Sequence, residues 1–224
     1  MDVCWTMKGL RLSNVKVVWA TPNAEEAVAY CARVSNPENQ NAQETAPRLL
    51  KYLIKHKHWS PFEMANVCME IETTRDIARQ ILRHRSFSFQ EFSQRYAVAQ
   101  DFVFSEARMQ DDKNRQNSLD TDDLYLNNWW NAAQVRVQCE AELMYKAALE
   151  KGIAKEQARK LLPEGLTMSK MYMNGTLRSW LHYVDIRCDK ATQKEHREVA
   201  EKCRDELTKL FPNVMEAFNA NCPD

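Results

Sequence analysis

Glycine is nearly absent from this chain: only Gly9, Gly152, Gly165 and Gly175 occur in 224 residues. A dinucleotide fingerprint needs several closely spaced glycines, and a P-loop needs a pair, because backbone amides must approach phosphate with no Cβ in the way. Neither loop can be built from these four positions. If this chain holds a phosphorylated ligand, side chains must do it.

The side chains suited to that task are grouped. No lysine stands between Lys57 and Lys113, while Arg75, Arg79, Arg83, Arg85, Arg95 and Arg108 fall in that interval. Guanidinium is planar, always charged, and offers paired donors to one phosphate or carboxylate. The densest stretch reads Arg83-His84-Arg85-Ser86-Phe87-Ser88-Phe89-Gln90-Glu91-Phe92-Ser93-Gln94-Arg95-Tyr96. The chain as a whole is balanced, with 31 basic and 31 acidic residues. That balance argues against broad electrostatic binding to nucleic acid or to an anionic membrane. The cluster is therefore a local feature, suited to a pocket for a phosphorylated small molecule.

No apolar run approaches the roughly 20 residues of a membrane span, and Met1 to Arg11 has no apolar core of signal-peptide type. The seven cysteines are scattered, with no C-x-x-C pair. Cys139 and Cys203 sit on apolar helical faces, so the thiols are expected reduced and mostly buried, in a cytoplasmic protein.

The pattern predicts an α+β fold: a helix-rich single domain over residues 1–224 with a small central, mainly antiparallel sheet. Val15 to Trp19 is β-branched and aromatic and predicts a strand. Thr21-Pro22 offers a cap and a first-turn proline for a helix reaching about Arg33. Leu49, Leu50, Leu53 and Ile54 predict a second helix, ending near His56-Lys57-His58. Asn66 to Glu72 alternates as a half-buried strand, and Thr74 is placed to cap a helix carrying Ile77, Ile81 and Leu82. The apolar pattern disappears between Ser105 and Asn128, which reads as a long loop or peripheral arm over 105–130. Helices are expected from Ala132 to Lys151, Lys155 to Leu162 and Thr176 to Ile186. Thr192 and Glu195 have the spacing of a capping box for a C-terminal helix with Val199, Cys203, Leu207 and Leu210.

The arginine segment admits two local readings. Basic residues favour a helix C-terminus, and Glu91 and Arg95 have the spacing of a solvated helical ion pair. Against that, Phe87, Phe89, Phe92 and Tyr96 are interleaved with the charges, which suits a partly buried pocket wall better than open surface. A different class of function is a non-catalytic single-stranded nucleic-acid-binding module, with the Arg/Phe cluster at 79–96 on phosphates and bases. His56, His58 and Glu63 lack a further partner at metal-like spacing, so no metal site is expected. Trp129-Trp130 reads as a core or interface anchor.

Arg83-His84-Arg85, followed after seven residues by Ser93, resembles the signature of the flavin-dependent thymidylate synthases. Ala32-Arg33-Val34-Ser35, His58-Trp59-Ser60-Pro61-Phe62-Glu63, Ala78-Arg79-Gln80, Ala158-Arg159 to Pro163, and Arg178 to Arg187 resemble its flanking motifs. The likeness spans roughly residues 15 to 210. Gln90 stands where asparagine is usual, Met64 where histidine is frequent, and His182 where asparagine also occurs.

The resemblance implies an enzyme forming dTMP from dUMP, with methylenetetrahydrofolate as carbon donor and a hydride relayed from NADPH through FAD. It implies that Ser35, Ser60, Arg83, His84, Arg85, Glu91, Arg178 and His182 contact FAD. It implies that Gln80, Arg83, Glu91, Ser93, Arg95, Arg159 and Arg187 hold dUMP, with Arg187 the catalytic group against the uracil. It also implies a homotetramer with active sites shared between subunits. Physical roles agree: Arg95 and Arg159 with Ser93 suit a phosphate, and Arg187 suits charge developing on the ring. Ser93 is read as a binding group, since an ordinary serine needs an activating base to become a nucleophile.

Overall fold

The computed structural model describes residues 13–97 and 102–221; Cys4, Cys222 and the N-terminal stretch judged above for a signal peptide lie outside the described residues. The chain divides into two compact units. One comprises residues 15–71, 80–91 and 171–224, and the other 1–14, 72–79 and 92–170.

A four-stranded sheet has the order β1 (Asn14–Ala20), β2 (Asn66–Thr74), β6 (Met168–Thr176), β3 (Ser88–Glu91). β3 runs antiparallel to β6, with Ser88 opposite Asn174 and Glu91 opposite Met171. In β2 Val67, Met69 and Ile71 are fully buried and Glu70 and Glu72 are not, but the alternation fails at Cys68, which is buried as well. Thr21 does not cap a helix. It clips the end of β1 to the start of β2, accepting from Asn66 N at 2.9 Å while its own amide donates to Asn66 O at 3.0 Å. Helix α1 (Ala24–Ala32) starts instead after Asn23, held at φ 47°, a left-handed conformation that asparagine tolerates.

Helix α2 (Ala46–Lys55) buries Leu50, Leu53 and Ile54. It packs against α8 (Pro212–Asn219), whose buried side is Val214, Met215, Ala217 and Phe218. Helix α6 (Leu177–Arg187) is capped by Thr176, whose hydroxyl accepts from Ser179 N at 3.2 Å. It buries Leu177, Trp180, Leu181, Tyr183 and Val184, and the Trp180 indole donates to Val67 O at 3.0 Å. This packing fixes the rotation of α6 and turns Arg178 and His182, one helical turn apart, outward together.

Helix α7 (Lys194–Leu210) begins one residue later than the capping-box spacing predicts. Gln193 is its N-cap and makes no side-chain cap bond, while the Thr192 hydroxyl donates to Ile186 O at 3.2 Å. Thr192 is thus engaged with α6, and Glu195 accepts from Gln193 Nε2 at 3.0 Å.

In the other unit the segment expected to be irregular contains a hairpin, β4 (Arg108–Gln110) and β5 (Ser118–Asp120), paired antiparallel. Its turn is organised by Asp111, whose Oδ1 accepts from Lys113 N and Asn114 N and whose Oδ2 accepts from Asn117 Nδ2. Helix α4 (Leu124–Glu150) starts eight residues before the expected Ala132. Asp123 caps it by accepting from Tyr125 N at 2.9 Å and Leu126 N at 3.1 Å. The first turn exposes Leu124 and Tyr125, so no buried stripe marks it in the sequence. Cys139 lies on the exposed side of α4, contrary to expectation, whereas Cys203 is buried in α7. The short helix α5 (Lys155–Ala158) continues as a 3-10 turn over Arg159–Leu161. Among the described residues no helix is long and apolar enough to cross a membrane.

Candidate active site

Helix α3 (Arg75–Ile81) stops within the arginine-rich stretch, and successive turns carry the chain toward β3. Arg83 N donates to Gln80 O, His84 N to Ile81 O, and Phe87 N to His84 O. This path points the half-buried His84 ring inward and leaves Arg83 and Arg85 exposed. Glu91 ends a strand, so it and Arg95 do not share the helical face their spacing allowed.

Arg187, in the last turn of α6, meets His84. Its Nε donates to His84 Nε2 at 2.8 Å. Since guanidinium has no acceptor, His84 Nε2 must be unprotonated and the ring's proton must lie on Nδ1. Burial first, then the Arg187, His182 and Arg83 charges, push the His84 pKa down to about 4. The same ring stands edge-on to Tyr183, with centroids 4.9 Å apart.

Tyr183 leads to a second histidine. Its hydroxyl lies 3.2 Å from His196 Nε2, and His196 Nδ1 lies 3.3 Å from Gln80 Oε1. Gln80 Nε2 in turn donates to Gln193 Oε1 at 2.7 Å. His196 is completely buried, and burial, with smaller contributions from Arg187 and His84, lowers its pKa to about 3. Gln80, His84 and Arg187, expected from sequence, are thus joined through two residues that were not, Tyr183 and His196.

The same unit holds a surface cleft of about 690 Å³, whose lining includes Lys55, Lys57, Trp59, Glu63, Arg178 and His182. Arg178 is ion-paired with Glu63 across its wall, and Ser86, beside Arg85, contributes to its lining. Three cations against two carboxylates (Glu63 and the Asp185 that also lines it), with an indole and an imidazole, suit a large flat ligand bearing phosphate. The donor set therefore fits a flavin nucleotide held without a glycine loop. Ser60 opens the 3-10 turn Ser60–Met64 that carries Glu63, whereas Ser35 is exposed beyond the end of α1.

Ser93, Arg95 and Arg159 belong to the other unit. There Ser93 Oγ accepts from Arg95 N at 3.3 Å, Arg95 Nε lies 3.5 Å from Glu156 Oε2, and the Arg95 guanidinium sits over the Tyr96 ring. Both members of the Arg95–Glu156 pair are more than half exposed, so the pairing is weak and open to exchange for a stronger anion. Arg159 is half-buried at the start of its 3-10 turn. Among the described residues no group of three or more potential metal ligands occurs.

The sequence model of the family described as "Thymidylate synthase complementing protein" matches residues 16–213. A "Flavin-dependent thymidylate synthase" from Synechocystis sp. is 53% identical over 194 residues, covering 87% of this chain and 89% of that protein. The chain belongs to the flavin-dependent thymidylate synthase family. A "Probable flavin-dependent thymidylate synthase" from Paramecium bursaria Chlorella virus 1 is 50% identical over 204 residues, covering 91% of this chain and 94% of that one. The solved structure of a UMP/dUMP methylase, PolB from Streptomyces cacaoi bound with 5-Br dUMP, superposes with a TM-score of 0.83 at 27% identity, covering 94% of this chain and 96% of that one.

Not all the aromatic residues of the arginine segment face outward. Phe87 is buried, edge-on to Trp180 with centroids 4.9 Å apart, so it belongs to the core rather than to a ligand-facing wall. That removes one of the phenylalanines the nucleic-acid reading needed for base stacking, and that reading gains no support. Phe92 and Tyr96 are exposed. Trp130 anchors within its own unit, donating to Ser105 O at 2.9 Å, while Trp129 is more than half exposed. Tyr183 and His196 escaped the sequence reading because each sits among apolar residues at helical spacing, where a core residue is the ordinary expectation. A histidine in register with Val199 and Cys203, three and seven residues further on in α7, was the one available signal.

Proposed function

We propose that this enzyme methylates dUMP to dTMP reductively, taking the carbon from methylenetetrahydrofolate and using FAD as its flavin and NADPH as hydride source. The observation that carries the reading is the Arg187–His84 bond, which holds a charged guanidinium by one nitrogen against a neutral ring. Among the described residues Arg187 has no carboxylate partner. Its remaining donors stay available for negative charge on a pyrimidine as carbon 5 becomes nucleophilic.

The other roles are those the family resemblance implies and the charge of each residue suits. Arg95, Arg159 and Ser93 take the nucleotide phosphate, with the Arg95–Glu156 pair exchanged for charge-assisted bonds. Gln80, Arg83 and Glu91 complete the nucleotide contacts. The cleft beside Arg178 and His182, with Ser35, Ser60, Arg83, His84, Arg85 and Glu91, holds FAD, which when bound supplies hydride chemistry that side chains do not offer. The protein binds, orients and stabilises charge. We propose a homotetramer with active sites shared between subunits, so these residues need not act within one chain.

The test is an absorption spectrum of the purified protein after incubation with FAD, taken with and without dUMP. A visible flavin band that shifts on adding dUMP is expected. A colourless protein, or a flavin band indifferent to dUMP, contradicts the reading.

A further inference from the structure

We propose that His196 and Tyr183 form a positioning pair that fixes the side-chain amide of Gln80 for the nucleotide. The inference rests on the dUMP reading above. Gln80 lies in the last turn of a short helix and carries a long side chain whose amide can turn over, exchanging its acceptor for its donors. Here both ends are engaged: Oε1 faces His196 Nδ1 at 3.3 Å, and Nε2 donates to Gln193 Oε1 at 2.7 Å.

That orientation holds only if His196 carries its proton on Nδ1. With the proton on Nε2, Nδ1 would present a lone pair to the Gln80 carbonyl, and the amide would turn over and lose Gln193. Glu195 decides between the two tautomers: a carboxylate only accepts, so Gln193 Nε2 donates to it, Gln193 Oε1 accepts from Gln80 Nε2, and Gln80 Oε1 is left to accept from His196 Nδ1. With that proton on Nδ1, His196 Nε2 is an acceptor, and the Tyr183 hydroxyl 3.2 Å away donates to it. The bonds then run in one direction, from Tyr183 to His196 to Gln80 to Gln193, and Gln193 donates onward to Glu195 at 3.0 Å. Tyr183 and His196 are completely buried, so neither ring has water as an alternative partner. One lone pair and one N–H of the Gln80 amide stay unused, an acceptor beside a donor in a fixed order. Tyr183 also braces His84 edge-on, and His84 accepts from Arg187. One buried tyrosine thus supports both Gln80 and Arg187.

Two substitutions at one position separate this role from simple core stability. In His196→Asn the amide N–H takes the place of Nδ1–H toward Gln80, while the bond to Tyr183 is lost. In His196→Gln the amide reaches the Nε2 position near Tyr183, while the donor to Gln80 is lost. The readouts on the flavin-loaded enzyme are dUMP affinity by calorimetry, KM and kcat for dUMP, and the thermal midpoint. His196→Gln is expected to weaken dUMP about tenfold with kcat changed less than about threefold, and His196→Asn to stay within about threefold of the parent affinity. Gln80→Ala combined with His196→Gln should bind dUMP no worse than Gln80→Ala alone. An affinity that follows the thermal midpoint regardless of which nitrogen is replaced overturns the proposal, as does an unchanged affinity in folded His196→Gln. If both His196 variants fail to fold, Tyr183→Phe, which removes one oxygen and keeps the ring, decides: weaker dUMP binding supports the pair and unchanged binding overturns it. Failure of the parent enzyme to bind or methylate dUMP would instead defeat the functional reading itself.

Discussion

Arg187 Nε donates to His84 Nε2 across 2.8 Å, so the second residue of the Arg-His-Arg triplet is the acceptor for an arginine 103 residues away. The bond requires a neutral imidazole, and burial among cations keeps it so. A histidine bracketed by arginines is, in this protein, a neutral support for a third arginine.

Removal of that third arginine should strike turnover rather than flavin binding. Arg187→Ala deletes a charged donor whose bonds are each expected to contribute about 1.5–3 kcal/mol. A loss of roughly 10- to 150-fold in kcat/KM for dTMP formation is expected for one such bond. The flavin absorbance should be retained, and a spectrum recorded beside the turnover assay checks both. An Arg187→Ala enzyme of normal rate would sink the assigned role.

Acid should destabilise the fold earlier than its carboxylates alone require. His84 and His196 have pKa values lowered from 6.5 to about 4 and about 3. Below about pH 6.5 the unfolded chain binds protons on these histidines that the folded chain refuses. The stability they contribute is therefore present above pH 6.5 and is lost progressively as pH falls from there to about 4 for His84 and about 3 for His196. Urea midpoints measured from pH 8 to pH 4 should be level at first and then decline. His196→Gln should flatten the decline, and an unaltered slope would contradict the assignment.

Gly175 in β6 should tolerate no side chain. A Cβ built there would stand 2.4 Å from Phe87 Cδ1 and 2.7 Å from its Cε1. Phe87 has little room to retreat, since its ring is buried against Trp180. Gly175→Ala is expected to cost about 1–3 kcal/mol of stability by overpacking, measurable by denaturant unfolding. A destabilisation under about 0.5 kcal/mol would show that the ring moves freely.

Arg178→Ala should separate stability from flavin binding. The Arg178–Glu63 pair is about half exposed, so its loss should change stability by less than about 1 kcal/mol. Flavin affinity, followed by fluorescence quenching, should fall about tenfold or more as a phosphate partner disappears. Equal flavin affinity in the variant would move the flavin away from this cleft.

The parts of the structure readable in advance are those where residue type alone carries the physics. β-branched runs predicted β1, the alternation of Val67, Met69 and Ile71 predicted β2, and apolar spacing predicted α2, α6 and α7. The start of α4 was not readable, because Asp123 caps a turn whose Leu124 and Tyr125 face outward. The β4–β5 hairpin was hidden for a similar reason, since Asp111 organises its turn through hydrogen bonds rather than through a buried face. Thr21 and Thr192 were misassigned as caps because a hydroxyl serves a helix, a strand or a neighbouring turn equally well, and spacing does not reveal which partner comes near.

The sequence by itself determined the chemistry on offer: arginines in place of glycine loops, a serine without a base, and a family signature extending over most of the chain. The tertiary structure decided what each group became. It put Phe87 in the core and Cys139 on the surface, and it joined Gln80 to His196 across 116 residues. Charge and donor count belong to a residue wherever it stands. Burial, tautomer and the direction of a hydrogen bond depend on neighbours that only folding brings together.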